Sequence, residues 1–439
     1  MDFAQGKRDE LIKKVLYTAL GLIVYRVVAQ FPVPGVDGAA LNSYFNATKG
    51  GFFDLFNTFT GGSFKRFSVL ALGIMPYITT SIVFSLLAEV IPQLAELQED
   101  SDGHRKIQKW TRYFTVILCA VQGYGMTVFF ESVRSQGNIP VVPEPGMLFR
   151  FTAVVTLVAG TMFLLWLGER ITEYGLENGV SLIIFAGIAV DLPSEVIQKA
   201  TLYRQGELSG FSLLMFAAIM VGVLYFVAFV ERAYRNIPVQ YAKRIINNRV
   251  YGGNQVLPMR VDTGGVMPPI LASSLLAAPA TMATFIGGAS GVGTFLEHLR
   301  SALMPGTVTF NLMYAGLIAY MAFFYAPIQF KTKKISDNLQ KNNAFIPGIR
   351  PGSKTQEFLD FVLNKLTFVT AIFLIIVCVG PSSSARYADT VTRFGGTAML
   401  ILVSVSIRVM MNVQSFLYAD RYESAYKVKG KHSGSKRRF

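Results

Sequence analysis

The chain has three histidines, His104, His298 and His432, and imidazole is the commonest general base in hydrolytic chemistry. All three fall outside the apolar blocks that dominate the chain, so no Ser–His arrangement can sit at membrane depth. That disfavours a serine intramembrane protease. Glu89, Glu131, Glu169 and Glu231 could serve proton or sodium coupling, but each lies near the end of an apolar block, where water or headgroups can solvate it. The run "GGASGVG" (287–293) has the glycines of a phosphate loop but lacks the following Lys-Ser/Thr. Cys119 and Cys378 are the only cysteines, and both lie within apolar blocks, so neither a disulfide framework nor a thiolate metal site is implied. Arg26 is the one charge well inside a block, at a cost of about 2.5–3.5 kcal/mol on insertion scales, and structural accommodation outweighs catalysis as its role. These residues do not describe an enzyme, and no cofactor is expected.

The elements that hold them are membrane spans. Of 439 residues, 52% are hydrophobic and 15% charged, against about 25% charged in soluble domains. Apolar blocks of roughly 20 residues recur, the length that crosses hydrocarbon as a helix. Ten spans are predicted, at about 15–32, 68–91, 113–133, 149–168, 178–197, 211–230, 267–287, 307–329, 362–380 and 394–414. Only a backbone that bonds itself survives in lipid, so all ten should be helices. The amino terminus, "MDFAQGKRDELIKK", lacks a convincing cleavage site, and the first block is read as retained. With that terminus in the cytoplasm, 29 of the 41 Lys and Arg residues fall on the cytoplasmic side and 10 on the other. The imbalance places both termini in the cytoplasm, and much of the net charge of +14 is a topology signal.

Three stretches carry more than span chemistry. In "GGFFDLFNTFTGGSFKRF" (50–67), Phe52, Leu55, Phe56 and Phe59 recur at helical spacing between glycine pairs, which predicts a short hinged helix ahead of the second span. "GIMPYITTS" (73–81) and "GVMPPILAS" (265–273) agree at Gly73/Gly265, Met75/Met267, Pro76/Pro268, Ile78/Ile270 and Ser81/Ser273. Five spans per half must invert the second half, so this echo suggests an inverted repeat with Gly/Pro-interrupted helices. Two long basic cytoplasmic loops, 231–265 and 331–361, exceed what anchoring requires; they could bind lipid headgroups or dock a large acidic or RNA-bearing partner. The end of the chain, "KVKGKHSGSKRRF", reads as a basic tail.

"FNTFTGGSFKRFSVLALGIMPYITTSIV", "GLENGVSLIIFAGI", "YAKRIINNRVYGG", "FIPGIRPG" and "FGGTAMLILV" occur in the order expected for SecY, so the chain closely resembles that family of bacterial protein-translocation channels. The resemblance implies an all-α polytopic fold of ten transmembrane helices in two inverted pseudo-symmetric halves around an hourglass pore. It divides the chain into a cytoplasmic segment 1–14, a first half 15–200, a second half 201–414 and a tail 415–439. It also implies a plug at 52–65, with Phe52, Phe53, Leu55, Phe56 and Phe59 packing into the extracytoplasmic funnel; the rival reading of that helix is one lying on the membrane surface. The implied pore collar falls on Ile74, Ile78, Val180, Ile184, Ile270 and Ile401, and Val180 is smaller than the isoleucine often found there. A lateral gate between spans two and three and spans seven and eight is implied, with Thr79, Thr80 and Gln122 as candidates. Lys243, Arg244, Arg249 and Arg350 match docking sites for the ribosome and the motor ATPase SecA. Further partners expected from the family are SecE and SecG, signal sequences, nascent polypeptides and membrane lipids, in the bacterial cytoplasmic (inner) membrane.

The function expected is a passive channel for unfolded secretory polypeptides that also releases transmembrane segments sideways into lipid. Its rivals are a secondary carrier for a small solute, which shares the repeat but not the need for basic loops, and a scaffold that opens only laterally.

Overall fold

The structure is a computed structural model that describes residues 2–47, 57, 60–134, 139–206, 209–241, 244–246, 249–251, 254–286, 307–387 and 395–433. A helix stands at each of the ten predicted spans: α1 (Asp2–Val28), α3 (Met75–Val90), α5 (Ser101–Ser132), α6 (Met147–Tyr174), α7 (Gly179–Arg204), α8 (Gly210–Glu231), α9 (Met267–Ile286), α10 (Val308–Gln329), α12 (Ser353–Tyr387) and α13 (Gly396–Ser433). Shorter helices α2 (Gly38–Ala47), α4 (Pro92–Glu99) and α11 (Thr332–Lys341) lie between them. Seven of the described helices are long and apolar enough to cross a membrane. Of the remaining spans, α1 carries Lys13, Lys14 and Arg26, and the described apolar parts of α3 and α9 are short.

Helix α6 shows why these segments are helical. Phe149, Ala153, Leu157, Leu164 and Ile171 are buried along one face, while Leu148, Phe151, Val155 and Trp166 are exposed on the other. A helix apolar all round suits a solvent of lipid on one side and protein on the other. Threonines inside spans satisfy themselves locally: Thr111, Thr115 and Thr367 each donate to the carbonyl four residues back. Ser209 caps α8 through the Ser212 amide, and Thr307 caps α10 through the Phe310 amide.

Cα packing divides the chain into two compact units, one of residues 1–81, 105–197 and 405–439, the other of 82–104 and 198–404. The first has an aromatic core in which Phe45, Phe64, Phe67 and Phe130 meet, with Phe67 and Phe130 ring centroids 4.3 Å apart. The second adds a small sheet to the helices. Strand β1 (Tyr234–Tyr241) pairs antiparallel with β4 (Asn254–Arg260) and with β5 (Ala344–Phe345), while β2 (Arg244–Ile246) and β3 (Arg249–Tyr251) form a separate hairpin.

Of the carboxylates at span ends, the Glu131 side chain (8% exposed) and Glu231 are buried against protein groups, while the Glu169 side chain is paired yet still 41% exposed to its surroundings. Glu131 takes two bonds from Arg150, at 2.6 and 2.9 Å, and one from the Gly146 amide. Glu169 pairs with Arg112 at 2.7 Å, and buried Glu231 accepts from the Ser404 hydroxyl. The Glu89 side chain lies outside the described residues. A buried carboxylate without such partners would lose solvation for no return.

Candidate functional site

The two echo stretches begin their helices in the same way. Gly73 (φ +58°) and Gly265 (φ +59°) both sit in the left-handed region, and α3 and α9 each start two residues later, at Met75 and Met267. A side chain is disfavoured at that φ, which accounts for glycine at both places. Two prolines then enter the first turns as Pro76 and Pro268, where a missing amide costs little. The geometry delivers Ile74, Ile78 and Ile270 into the interior at 4%, 5% and 2% exposure.

Val180 and Ile184 lie in the first turns of α7, which the preceding "GLENG" turn fixes. The Asn178 side chain accepts from the Val180 and Ser181 amides, and the Thr172 hydroxyl accepts from Gly179. From α1, the Thr18 hydroxyl accepts the Leu176 amide. From α13, the Asn412 amide group donates to the Leu176 carbonyl at 3.0 Å and to Glu177. Ile184 is buried, whereas Val180 is half-buried near Gly168 of α6, where a Cβ would lie 3.4 Å from it. Ile401 of α13 is buried at 2% exposure. Ile74, Ile78, Val180 and Ile184 belong to the first compact unit, Ile270 and Ile401 to the second.

Phe52, Phe53, Leu55, Phe56 and Phe59 lie outside the described residues. The chain from Thr60 to Val69 is well held. The Asn57 carbonyl accepts from the Gly62 amide and its side chain from the Lys65 amide. Val33 and Phe67, then Val69 and Phe31, are joined amide to carbonyl at 2.9 and 3.0 Å, so a short antiparallel bridge staples residues 67–69 to the segment after α1.

Of the candidate gate residues, Thr80 is buried and Thr79 half-buried, and their hydroxyls donate to Pro76 and Met75 within α3 itself. Gln122 is half-buried on α5.

The two basic loops, separate in sequence, are joined by the sheet. Gln240 and Tyr241 of β1 pair with Phe345 and Ala344 of β5. Ile237, Val239, Met259, Leu339, Ala344, Ile346 and Leu359 form one core beneath. Alternation of apolar residues around Val239 and Tyr241 was the only sequence signal of this strand, and nothing local marked its partner. Arg350 is exposed on the turn after β5, whose base is fixed by Thr355 donating to the Arg350 carbonyl and Ser336 to that of Gly352. Gly348 (φ +83°) and Gly352 (φ +97°) frame that turn. Arg244 and Arg249 belong to the β2–β3 hairpin; their side chains, and Lys243 entirely, lie outside the described residues.

The family model described as SecY matches residues 68–410. The protein translocase subunit SecY of Haemophilus influenzae is 43% identical over 422 residues, covering 96% of this chain and 95% of that protein. The Escherichia coli subunit is 42% identical over 431 residues, covering 97% of each. The chain belongs to the SecY family. Its fold agrees with that assignment. A solved protein-conducting channel superposes with a TM-score of 0.67 at 17% identity, covering 93% of each chain. A structure of Sec61 in a canine ribosome–channel complex gives 0.62 at 16% identity, again covering 93% of each. SecY membership makes this chain a multi-pass helical membrane protein of the inverted two-half fold, and it leaves the small-solute carrier reading without support.

Proposed function

We propose that this chain is the channel subunit of a bacterial protein translocase, through which unfolded polypeptides cross the cytoplasmic membrane and from which transmembrane segments leave sideways into lipid. The observation that carries this reading is identity of 39–43% to translocase subunits along nearly the whole chain, loops included. The mechanism rests on the proposed collar. Aliphatic side chains offer an ion no ligands, and a narrow apolar constriction resists wetting. They also offer a passing chain no specific group, so polypeptides of many sequences can slide through. In the resting state the segment 52–65 would close the funnel, as the plug of a structurally similar SecY is described as stabilising the closed channel and maintaining a membrane seal.

Both termini and the sheet-bearing loops would lie in the cytoplasm, where Lys243, Arg244, Arg249 and Arg350 would meet the ribosome or SecA. Energy would come from those partners, with SecE and SecG as accompanying subunits and no catalytic group in this chain. Thr79, Thr80 and Gln122 would line the lateral gate; the two threonine hydroxyls bond within α3 itself. A polar bond across such a seam is worth only about 0.6 kcal/mol, so the gate would yield readily to a signal sequence.

The test is to trap a stalled secretory chain and crosslink from Ile78, Ile184, Ile270 and Ile401. All four should contact it; a chain threading past other residues overturns the reading. Arg350→Glu should lower export severalfold while the protein still inserts, and normal export would remove the docking assignment.

A further inference from the structure

We infer that Tyr25 and Arg26 are positioning residues for the plug: they hold its carboxyl-terminal hinge, at Thr60–Gly61, so that the closed state is favoured. The inference rests on reading residues 52–65 as the plug. Arg26 is the charge that the sequence places inside the first span without a task. Its Nη1 donates to the Gly61 carbonyl at 2.9 Å, and the buried Tyr25 hydroxyl donates to the Thr60 carbonyl at 3.3 Å. On the same stretch of backbone α7 closes in, because a Cβ built on Gly61 would lie 2.5 Å from the Gly187 Cα. One on Gly187 would lie 3.2 Å from the Tyr25 hydroxyl and 3.4 Å from the Gly61 Cα. The hinge is therefore gripped between a guanidinium, a phenol and a helix backbone.

Two features make this a latch and not mere packing. Gly61 (φ +60°) and Gly62 (φ +85°) are consecutive left-handed glycines, the kind of site where a chain can pivot. Beyond them the chain is stapled by the Phe31–Val33 bridge and buried through Phe64 and Phe67. On the carboxyl-terminal side of the plug a pivot would therefore fall at these two glycines, and the Arg26 bond acts on one of them. A charge-assisted bond to a carbonyl is about twice as strong as a neutral one, and it offsets the cost of an arginine at that depth.

The experiment uses the complete translocase in proteoliposomes and measures chloride leak and export of a precursor with a defective signal sequence. Arg26→Gln should raise both by about tenfold, the effect of losing one hydrogen bond to a charged group. Arg26→Lys should restore most of the seal, and Tyr25→Phe should show a smaller rise. Gly187→Ala, which keeps every charge, should imitate Arg26→Gln by wedging the hinge. Deleting residues 52–59 should itself leak, and Arg26→Gln should add nothing to that deletion. If the deletion leaks while Arg26→Gln and Gly187→Ala stay sealed, or if Arg26→Gln adds leak to the deletion, the latch is overturned and the plug reading stands. If the deletion does not leak, the plug reading falls and the latch with it. Should Arg26→Gln fail to insert, Tyr25→Phe and Gly187→Ala decide the question: leak in both supports the latch, and sealed channels overturn it.

Discussion

The stretches 73–81 and 265–273 solve one problem with different parts. Each enters a membrane helix through a left-handed glycine at nearly the same φ, and each helix starts two residues on. In the first, the Gly73 amide donates to the backbone carbonyl of Leu70 at 2.9 Å. In the second, the Gly265 amide donates to the buried Asp262 carboxylate at 2.8 Å. Further along, Thr79 and Thr80 stand where the second stretch has Leu271 and Ala272. Backbone conformation is shared because it sets the helix start, and the hydrogen-bond acceptor is free to differ because only the amide's satisfaction matters.

The comparison can be broken most strongly at the buried isoleucines. Ile78→Asn and Ile270→Asn each put an amide at a buried aliphatic position, at about 1–3 kcal/mol, or roughly 5–150-fold in the closed-to-open ratio. Ion leak and export of signal-defective precursors should rise alike in the two variants. A rise in only one would separate the stretches in function. The glycines come next. Gly73→Ala should destabilise the protein by about 2 kcal/mol, because the left-handed cost is joined by a contact of 3.1 Å with Thr60 Cγ2. Gly265→Ala should cost at least about 1 kcal/mol from its left-handed conformation. Thermal unfolding in detergent micelles measures both, and a Gly73→Ala cost of about 1 kcal/mol would remove the Thr60 contribution. Smallest is Asp262→Asn, which keeps an oxygen for the Gly265 amide and should cost about 1 kcal/mol or less. A cost above that of Gly73→Ala would show that the carboxylate charge itself does more in the second stretch than a carbonyl does in the first.

The features legible in the sequence are those governed by short-range rules. The helices that stand at the predicted spans were legible because a helix in lipid needs about 20 apolar residues in an unbroken run, a purely local requirement. Left-handed glycines at 73 and 265 were legible as an echo of residue types, though the matching φ values needed coordinates. The start of α3 at Met75, later than the apolar block at 68, was not legible, because Ser68–Leu70 is held by its pairing with the segment after α1. Nor was the pairing of β1 with β5, which joins residues about a hundred apart; no local pattern encodes a partner that far away.

The sequence by itself determined the class of the molecule and its kinship, since composition and ordered motifs need no three-dimensional context. Tertiary structure alone decided who satisfies whom. Arg26 reads as an awkward charge until the chain returns to bring the Gly61 carbonyl within 2.9 Å, and Glu231 reads as a solvated end group until Ser404 arrives beside it. The physical reason is that hydrogen bonds act only over contact distance, whereas the residues that make them are free to lie anywhere along the chain.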